Sequence, residues 1–156
     1  MKPLASAKGA GAIASALISS SAFATSVFIN EFHYDNDGGD VDEFIEIVAP
    51  EGTDLTDYSV VLYNGNNGAA YLTETLSGTV ASLGDGMGSY VINLPTNGIQ
   101  NGAPDGLELV DSNGQLIQFL SYEGSFTAVG GSAAGITRVD IGIEKTPSTE
   151  QGKVWQ

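Results

Sequence analysis

The feature that most restricts the fold of this chain is a series of short alternating apolar runs separated by turn-forming residues. Successive side chains of a strand point to opposite faces of a sheet, so alternation with a period of two predicts strands. Gly, Asn, Asp and Pro separate the runs, and no long helical period is seen after residue 24. The pattern predicts an all-β domain. Its predicted strands are Val27–His33, Glu43–Ala49, Ser59–Tyr63, Ala70–Leu76, Thr79–Leu83, Ser89–Leu94, Leu107–Val110, Gln115–Tyr122 and one around Ile136–Ile141.

The clearest strand pairing is a hairpin late in the series. Leu107–Val110 and Gln115–Tyr122 flank a turn that contains Asn113 and Gly114. An Asn-Gly pair accepts positive φ at both central positions of a tight turn, which suits the twist of a two-stranded ribbon. We therefore expect these two strands to pair directly. The stretch Ser125–Ala134 that follows is rich in small residues and is predicted to be a flexible connection.

Regularly spaced strands with turns between them are typical of antiparallel sandwiches and barrels. The length of 156 residues fits one domain. No repeat or domain boundary is visible after residue 24. We predict a β-sandwich over residues 25–144, with residues 145–156 as a polar tail, the start of a linker or the place of a missing final strand.

The first 24 residues resemble a cleaved secretion signal. Lys2 and Lys8 give a basic start, and Ala10–Phe23 is a small apolar run. Ala22-Phe23-Ala24 matches the small-residue cleavage pattern. The run is shorter and less apolar than the roughly 20 residues that a membrane anchor needs. We expect cleavage after Ala24, no membrane span, and a secreted or cell-surface location.

The charge of the chain disfavours nucleic acid as a direct partner. The sequence has 19 acidic residues and a net charge of −14. All of its acidic residues follow residue 24, where only Arg138, Lys145 and Lys153 carry a fixed positive charge. Proteins that bind nucleic acid set several Lys and Arg against phosphates. We therefore expect a protein or cell-surface partner and no direct nucleic-acid binding.

The chain has no cysteine. A secreted domain without disulfides is held together by its core or by bound ions. A domain of this size buries enough apolar surface to fold unaided. The composition also excludes a thiol nucleophile and a cysteine-ligated zinc site.

An acidic loop between the first two predicted strands is a candidate calcium site. It carries Asp35, Asp37, Asp40 and Asp42, with Asn36 as a further oxygen donor. Calcium takes several oxygen ligands in loose geometry. The loop does not match an EF-hand, because counting from Asp35 puts Asp40 at the position where that motif needs Gly. The alternative, which we favour, is a solvated acidic loop that turns at its two glycines and needs no cofactor.

The only histidine, His33, is a candidate general base. Asp35 or Glu31 could orient it if the strand continues that far. No nucleophile or oxyanion clamp is visible nearby, so we expect a strand-end histidine on the sandwich surface.

Glu31, Glu43 and Glu46 are a second catalytic candidate, as a carboxylate pair for glycoside cleavage. Sugar clefts usually present aromatic rings for stacking, whereas the single tryptophan, Trp155, lies in the tail. We therefore predict no catalytic residue in this chain.

Two blocks of the sequence resemble the lamin-tail domain family, including its secreted bacterial type. The first is V-F-I-N-E-F followed, after the acidic loop, by D-E-F-I-E-I; the second is D-G-L-E-L-V-D-S-N-G-Q-L-I-Q-F-L-S-Y. Together with D-L-T-D-Y-S-V-V-L-Y-N between them, the resemblance covers about residues 27–124. Gln118 stands where an Asp is common in the family. The resemblance implies an immunoglobulin-like antiparallel β-sandwich.

The resemblance implies a non-catalytic accessory or interaction module of a secreted or cell-surface bacterial protein. Bacterial relatives are often joined to an endonuclease/exonuclease/phosphatase-like domain, so a first alternative is the N-terminal part of a secreted nuclease with its catalytic domain beyond Gln156. A second alternative is a calcium-stabilised adhesion module. Reading the frame downstream and titrating calcium distinguish the three.

Overall fold

The structure, a computed structural model, describes residues 27–36, 38–142 and 144. Its strands in chain order are β1 (Phe28–His33), β2 (Phe44–Pro50), β3 (Ser59–Asn64), β4 (Ala69–Thr75), β5 (Ala81–Gly84), β6 (Met87–Asn93), β7 (Asp105–Val110), β8 (Leu116–Tyr122), β9 (Phe126–Thr127) and β10 (Thr137–Arg138). One sheet has the order β1-β2-β6-β5, the second has the order β4-β3-β7-β8, and β9 pairs with β10.

The two four-stranded sheets are antiparallel and pack against each other, which confirms the predicted all-β sandwich. The Asn113-Gly114 hairpin is also confirmed, since β7 pairs with β8 and Leu107 lies opposite Leu120. The acidic loop connects β1 to β2, which pair in the same way. Among the described residues no helix is long and apolar enough to cross a membrane.

The predicted positions of two later strands differ from the observed ones. The strand predicted at Thr79–Leu83 lies at Ala81–Gly84, and the one around Ile136–Ile141 is reduced to Thr137–Arg138. The prediction of a flexible connection over Ser125–Ala134 is wrong at β9. There the ring of Phe126 is buried against the outer face of the second sheet, and this contact orders the chain.

The main core lies between the two sheets. In β2, Ile45, Ile47 and Ala49 are fully buried and alternate with half-buried residues, as the period of two requires. Their counterparts in the second sheet include Leu62 and Leu107. Burying one such side chain contributes about 1.5–3 kcal/mol, so this facing set supplies much of the stability of the fold.

A bulge in β1 explains why its apolar residues alternate irregularly. The register with β2 shifts between Ile29 and Glu31. An extra residue in one strand reverses the faces on which later side chains lie. Ile29 and Phe32 therefore both reach the main core although an odd number of positions separates them.

All six residues of β7 are buried, because both faces of the strand are covered. Leu107 and Leu109 point into the main core. On the outer face a segment that we call the strap, residues 126–136, packs over the second sheet. Its buried residues, together with those of the strands beneath, form a second apolar cluster made of Tyr63, Phe119, Phe126, Ala128 and Ala133.

The strap lies so close to β7 that the strand needs a glycine beneath it. A Cβ on Gly106 would lie 2.6 Å from the backbone oxygen of Leu120 and 2.6 Å from a ring carbon of Phe126. Neither contact is compatible with an unmoved backbone. Gly106 therefore sets how closely the strap approaches the sheet.

We predict that Gly106→Ala destabilises the domain by roughly 1–3 kcal/mol, the usual cost of overpacking. Urea unfolding followed by circular dichroism measures this loss. Gly39→Ala is the matched control, because a Cβ there meets no atom within 4 Å and its φ is not positive. Equal stability of the two variants would contradict the close packing of the strap.

Candidate functional site

The acidic loop between β1 and β2 is largely tied into the protein, which corrects the expectation of a solvated loop. Asp35 and Asp40 are only 5% and 8% exposed. The backbone N–H of Asn36 donates to Asp40 Oδ1 at 3.2 Å, and the Asn36 side chain donates to the Val41 carbonyl at 2.7 Å. Asn101 donates from across the end of the sandwich to Asp40 Oδ2 at 3.0 Å. These bonds hold the carboxylates inward instead of leaving them to water.

The calcium candidates are not all brought together. Asp35 and Asp40 are hydrogen-bonded carboxyl groups, and Asp42 is exposed with a φ of 56°. Asp37 lies outside the described residues. Within residues 27–36, 38–142 and 144, no group of three or more His, Cys, Asp or Glu could hold a metal ion. Calcium binding by this loop stays a prediction.

The Asp35 carboxyl is held in an environment that favours its protonated form. Burial raises its pKa most, and the hydrogen bond to Asp40 and the repulsion from the Asp40 charge raise it further. The Asn101 side chain opposes this shift by hydrogen bonding. The Asp35 carboxyl therefore takes up a proton more readily than a solvated aspartate would.

His33 is buried, so the prediction that it lies on the sandwich surface is wrong. It is 2% exposed, and its ring stacks on Phe44 with centroids 6.1 Å apart. Its Nε2 lies 2.8 Å from Asn36 Oδ1, while the amide nitrogen of Asn36 donates to a backbone carbonyl. An amide oxygen only accepts, so Nε2 carries the proton. The loop folds back over the end of β1, and the hydrogen bond between His33 and Asn36 holds the start of the loop there.

Of the three glutamates considered for a glycosidase pair, Glu43 lies apart from Glu31 and Glu46, which face each other across β1 and β2. Glu43 is buried and accepts from the backbone N–H groups of Gly98 at 2.6 Å and Ile99 at 3.1 Å. Burial raises the pKa of Glu43, and these two bonds oppose the shift. Glu46 accepts from the Asn30 side chain at 2.8 Å and lies opposite Glu31 in the β1–β2 register.

Sequence patterns did not indicate the tyrosine cluster that underlies this end of the sandwich. The Tyr34 hydroxyl donates to Glu123 Oε1 at 2.6 Å, and its ring lies 4.7 Å from that of Tyr122. The Tyr122 hydroxyl donates to the Gln100 carbonyl at 2.9 Å, and the Gln100 N–H donates to Tyr71 Oη at 2.8 Å. These residues are far apart in the chain, and only their common burial brings them together.

Asp105 adds a buried carboxyl group beside this cluster. Its Oδ1 accepts from the Gly65 N–H at 3.2 Å, whereas its Oδ2 is buried and has no hydrogen-bond partner among the described residues. Burial raises the pKa of Asp105 to about 6, with a further contribution from the charge of Glu123. Nearby, a cavity of about 300 Å³ is lined by three acidic residues, Glu123, Asp140 and Glu144.

A different kind of surface lies along the outer edge of β8. A groove of about 430 Å³ separates residues 117–120 from residues 137–141. Exposed apolar side chains line it: Ile117 is 38% exposed, Ile141 40% and Val139 77%. The two walls meet where the Ile141 N–H donates to the Ser121 carbonyl at 2.9 Å. We call this surface the edge groove.

Arg138 gives the edge groove its charge. It is exposed, and it is the one Lys or Arg in the part of the chain that the structure describes. Apart from His33, every other ionisable side chain there is acidic or a tyrosine. Sequence reasoning missed this groove, because the signal is a nonlocal pairing of β8 with the segment after the strap.

Comparison with protein-family models, with curated proteins and with solved structures gave no match for this chain.

We predict that the raised pKa of Asp105 makes the domain more stable near pH 4 than near pH 7. Its folded pKa of about 6 lies above its ordinary value of 3.8, so its stabilising effect is complete below pH 3.8 and is lost as the pH rises through 6. Asp105→Asn should equal the natural chain near pH 4 and exceed it near pH 7 by roughly 2–3 kcal/mol. Urea unfolding at both pH values measures the difference.

The matched control for this pH dependence is Asp57→Asn, which changes an exposed aspartate. Because Asp57 has a φ of 65°, a conformation that Asn adopts readily, any change in unfolding free energy should be the same at both pH values. If Asp105→Asn shows no pH-dependent gain over this control, the buried carboxyl is not the source of the effect.

For calcium, we expect no change in melting temperature when millimolar calcium is added to the full chain. The side-chain oxygens of Asp40 already accept from Asn36 and Asn101, which reduces their capacity to hold a cation. Differential scanning calorimetry with and without calcium tests this. A rise in melting temperature that Asp40→Asn abolishes would establish the calcium site instead.

Proposed function

We propose that this chain is a non-catalytic interaction module of a secreted or cell-surface bacterial protein, built on an immunoglobulin-like sandwich of the lamin-tail type. The edge groove is the observation that carries the proposal. It places exposed Ile117, Val139 and Ile141 beside a sheet edge on an otherwise acidic domain. Exposed apolar side chains beside a sheet edge suit the binding of an extended segment of another protein.

The condition of the β8 edge supports this proposal. Natural sheet edges are usually blocked by Lys, by Pro or by an inward-pointing charge, because an open edge recruits other strands. β8 has the sequence L-I-Q-F-L-S-Y, which contains no Lys, no Pro and no charged residue, although its register shifts at Ile117. In the part of the chain that the structure describes, β8 is an edge strand with apolar neighbours, which favours a role in binding.

The rest of the domain supports the edge groove rigidly, because the two sheets are joined beside it. Gln118, the residue that replaces the family's common Asp, accepts from the Ile29 N–H of the other sheet at 2.7 Å. This bond joins β8 to β1, the neighbouring edge of the first sheet. The two blocks that resemble the lamin-tail family form the β1–β2 and β7–β8 hairpins, which this bond connects.

The secreted location is supported by the composition of residues 1–24, with the expected cleavage after Ala24. The acidic surface, at a net charge of −14, favours solubility and disfavours adhesion to phosphate-rich polymers. Both features suit a protein or cell-surface partner outside the cell.

Site-specific photocrosslinking in the producing bacterium tests the interaction role. A photoreactive phenylalanine analogue at Val139 should yield one defined adduct, because this exposed side chain lines the edge groove. The same analogue at Leu83 is the matched control, since Leu83 is 69% exposed on β5 and lies outside the groove. No adduct at Val139, or the same adducts from both positions, would contradict the proposal.

A further inference from the structure

We propose that the edge groove binds an extended segment of a partner protein by strand addition, and that this segment carries apolar residues and one carboxylate that pairs with Arg138. The inference rests on the proposed interaction role and deepens it by naming the class of partner. Strand addition gives affinity through main-chain hydrogen bonds and specificity through alternate side chains.

The backbone of β8 offers unused hydrogen-bonding groups toward the groove. The Ser121 carbonyl points away from β7, since it accepts from Ile141. Backbone groups alternate between the two edges of a strand, so those of Phe119 also point outward. Ile117 has no opposite residue in β7, because the register shifts there from Gln118 to Leu116. Within the described residues, no backbone hydrogen bond outside the β7 pairing engages Ile117 or Phe119.

The chain itself shows that this edge accepts a strand. Asp140 forms a parallel bridge with Ser121, and the pairing ends after this single bridge. Among the described residues, the edge from Ser121 back to Ile117 pairs with no further strand over about 13 Å, at about 3.3 Å per residue. This length accommodates four residues of an extended peptide, in continuation of the pairing that Asp140 begins.

The side chains around the groove indicate what the peptide carries. Ile117, Val139 and Ile141 would lose exposed apolar surface to apolar residues of the peptide, at about 25 cal/mol for each Å² buried. Arg138 lies among them, and a guanidinium binds a carboxylate through two parallel hydrogen bonds.

The charge distribution favours an acidic peptide in this groove over a basic one. Because Arg138 is the only fixed cation in the described residues, the groove is where a partner's carboxylate meets a positive charge. A basic peptide would be drawn to acidic surfaces such as the cavity at Glu123 and Glu144. Asp140 is not among the residues that line the groove and instead lines the acidic cavity with Glu123 and Glu144.

The test is a titration of the full ¹⁵N-labelled chain followed by NMR. The probe is a capped eight-residue peptide of alternating valine and threonine with one central glutamate. We expect the largest amide shifts at residues 117–120 and 137–141. A second peptide with lysine in place of glutamate should bind more weakly, and a peptide with alternate backbone nitrogens methylated should not bind there.

Three substitutions measure how much individual side chains contribute to the affinity for the glutamate peptide. Arg138→Gln should weaken the glutamate peptide roughly fivefold to tenfold, the value of a charge-assisted hydrogen bond. Val139→Asp should weaken it at least about tenfold, with Val139→Thr as a milder substitute if the first does not fold. Leu83→Asp, on the first sheet, should bind as the natural chain does.

Several results would overturn the inference. One is that the largest amide shifts map to another sheet edge, and a second is that the lysine peptide binds as tightly as the glutamate peptide. A third is that the groove amides shift with protein concentration alone, which would show that two copies of the chain pair at this edge. A groove that opens to the peptide only after removal of residues 145–156 would show that the chain's own tail is the occupant. If Val139 crosslinks to a partner but the peptide does not bind, strand addition is wrong and the interaction role is retained. If Val139 gives no crosslink and the peptide does not bind, both proposals are wrong.

Discussion

The burial of both faces of β7 is the constraint on which the rest of the structure depends. Its inner face contributes Leu107 and Leu109 to the core between the sheets. Its outer face is covered by the strap, whose Phe126 packs on Phe119 and above Gly106. Because the strap returns the chain to the β8 side, it places residues 137–141 opposite the β8 edge. The edge groove therefore follows from the way the sandwich covers its central strand.

The strap is fixed by polar contacts as well as by apolar packing. The Tyr63 hydroxyl donates to the buried side chain of Glu108, and the Gly130 carbonyl lies 2.9 Å from the same hydroxyl oxygen. The Val129 N–H donates to the Gly68 carbonyl at 2.8 Å. A strap held by a second cluster and by these bonds gives the groove a defined wall, and a defined wall reduces the ordering cost of binding.

The acidic end of the sandwich has a different physical character from the edge groove. Asp35, Asp40, Glu43 and Asp105 are all buried there, and burial raises the pKa of three of them, Asp35, Glu43 and Asp105. Hydrogen bonds from the segment around Gly98 and Asn101 compensate part of this cost. Carboxylates that looked like ligands or catalysts in the sequence thus hold two crossing loops together, and they make stability depend on pH.

The sequence by itself determined the all-β class, the order of the main strands and the β7–β8 hairpin, because alternation and turn chemistry are local signals. It did not determine that His33 and much of the acidic loop are buried, that Phe126 orders the strap, or that β8 is an edge strand of the second sheet. Those outcomes depend on contacts between residues distant in the chain, such as Asn101 with Asp40 and Ile141 with Ser121. Tertiary structure decides them, because burial and edge pairing depend on which segments come to lie side by side, and no local pattern specifies that.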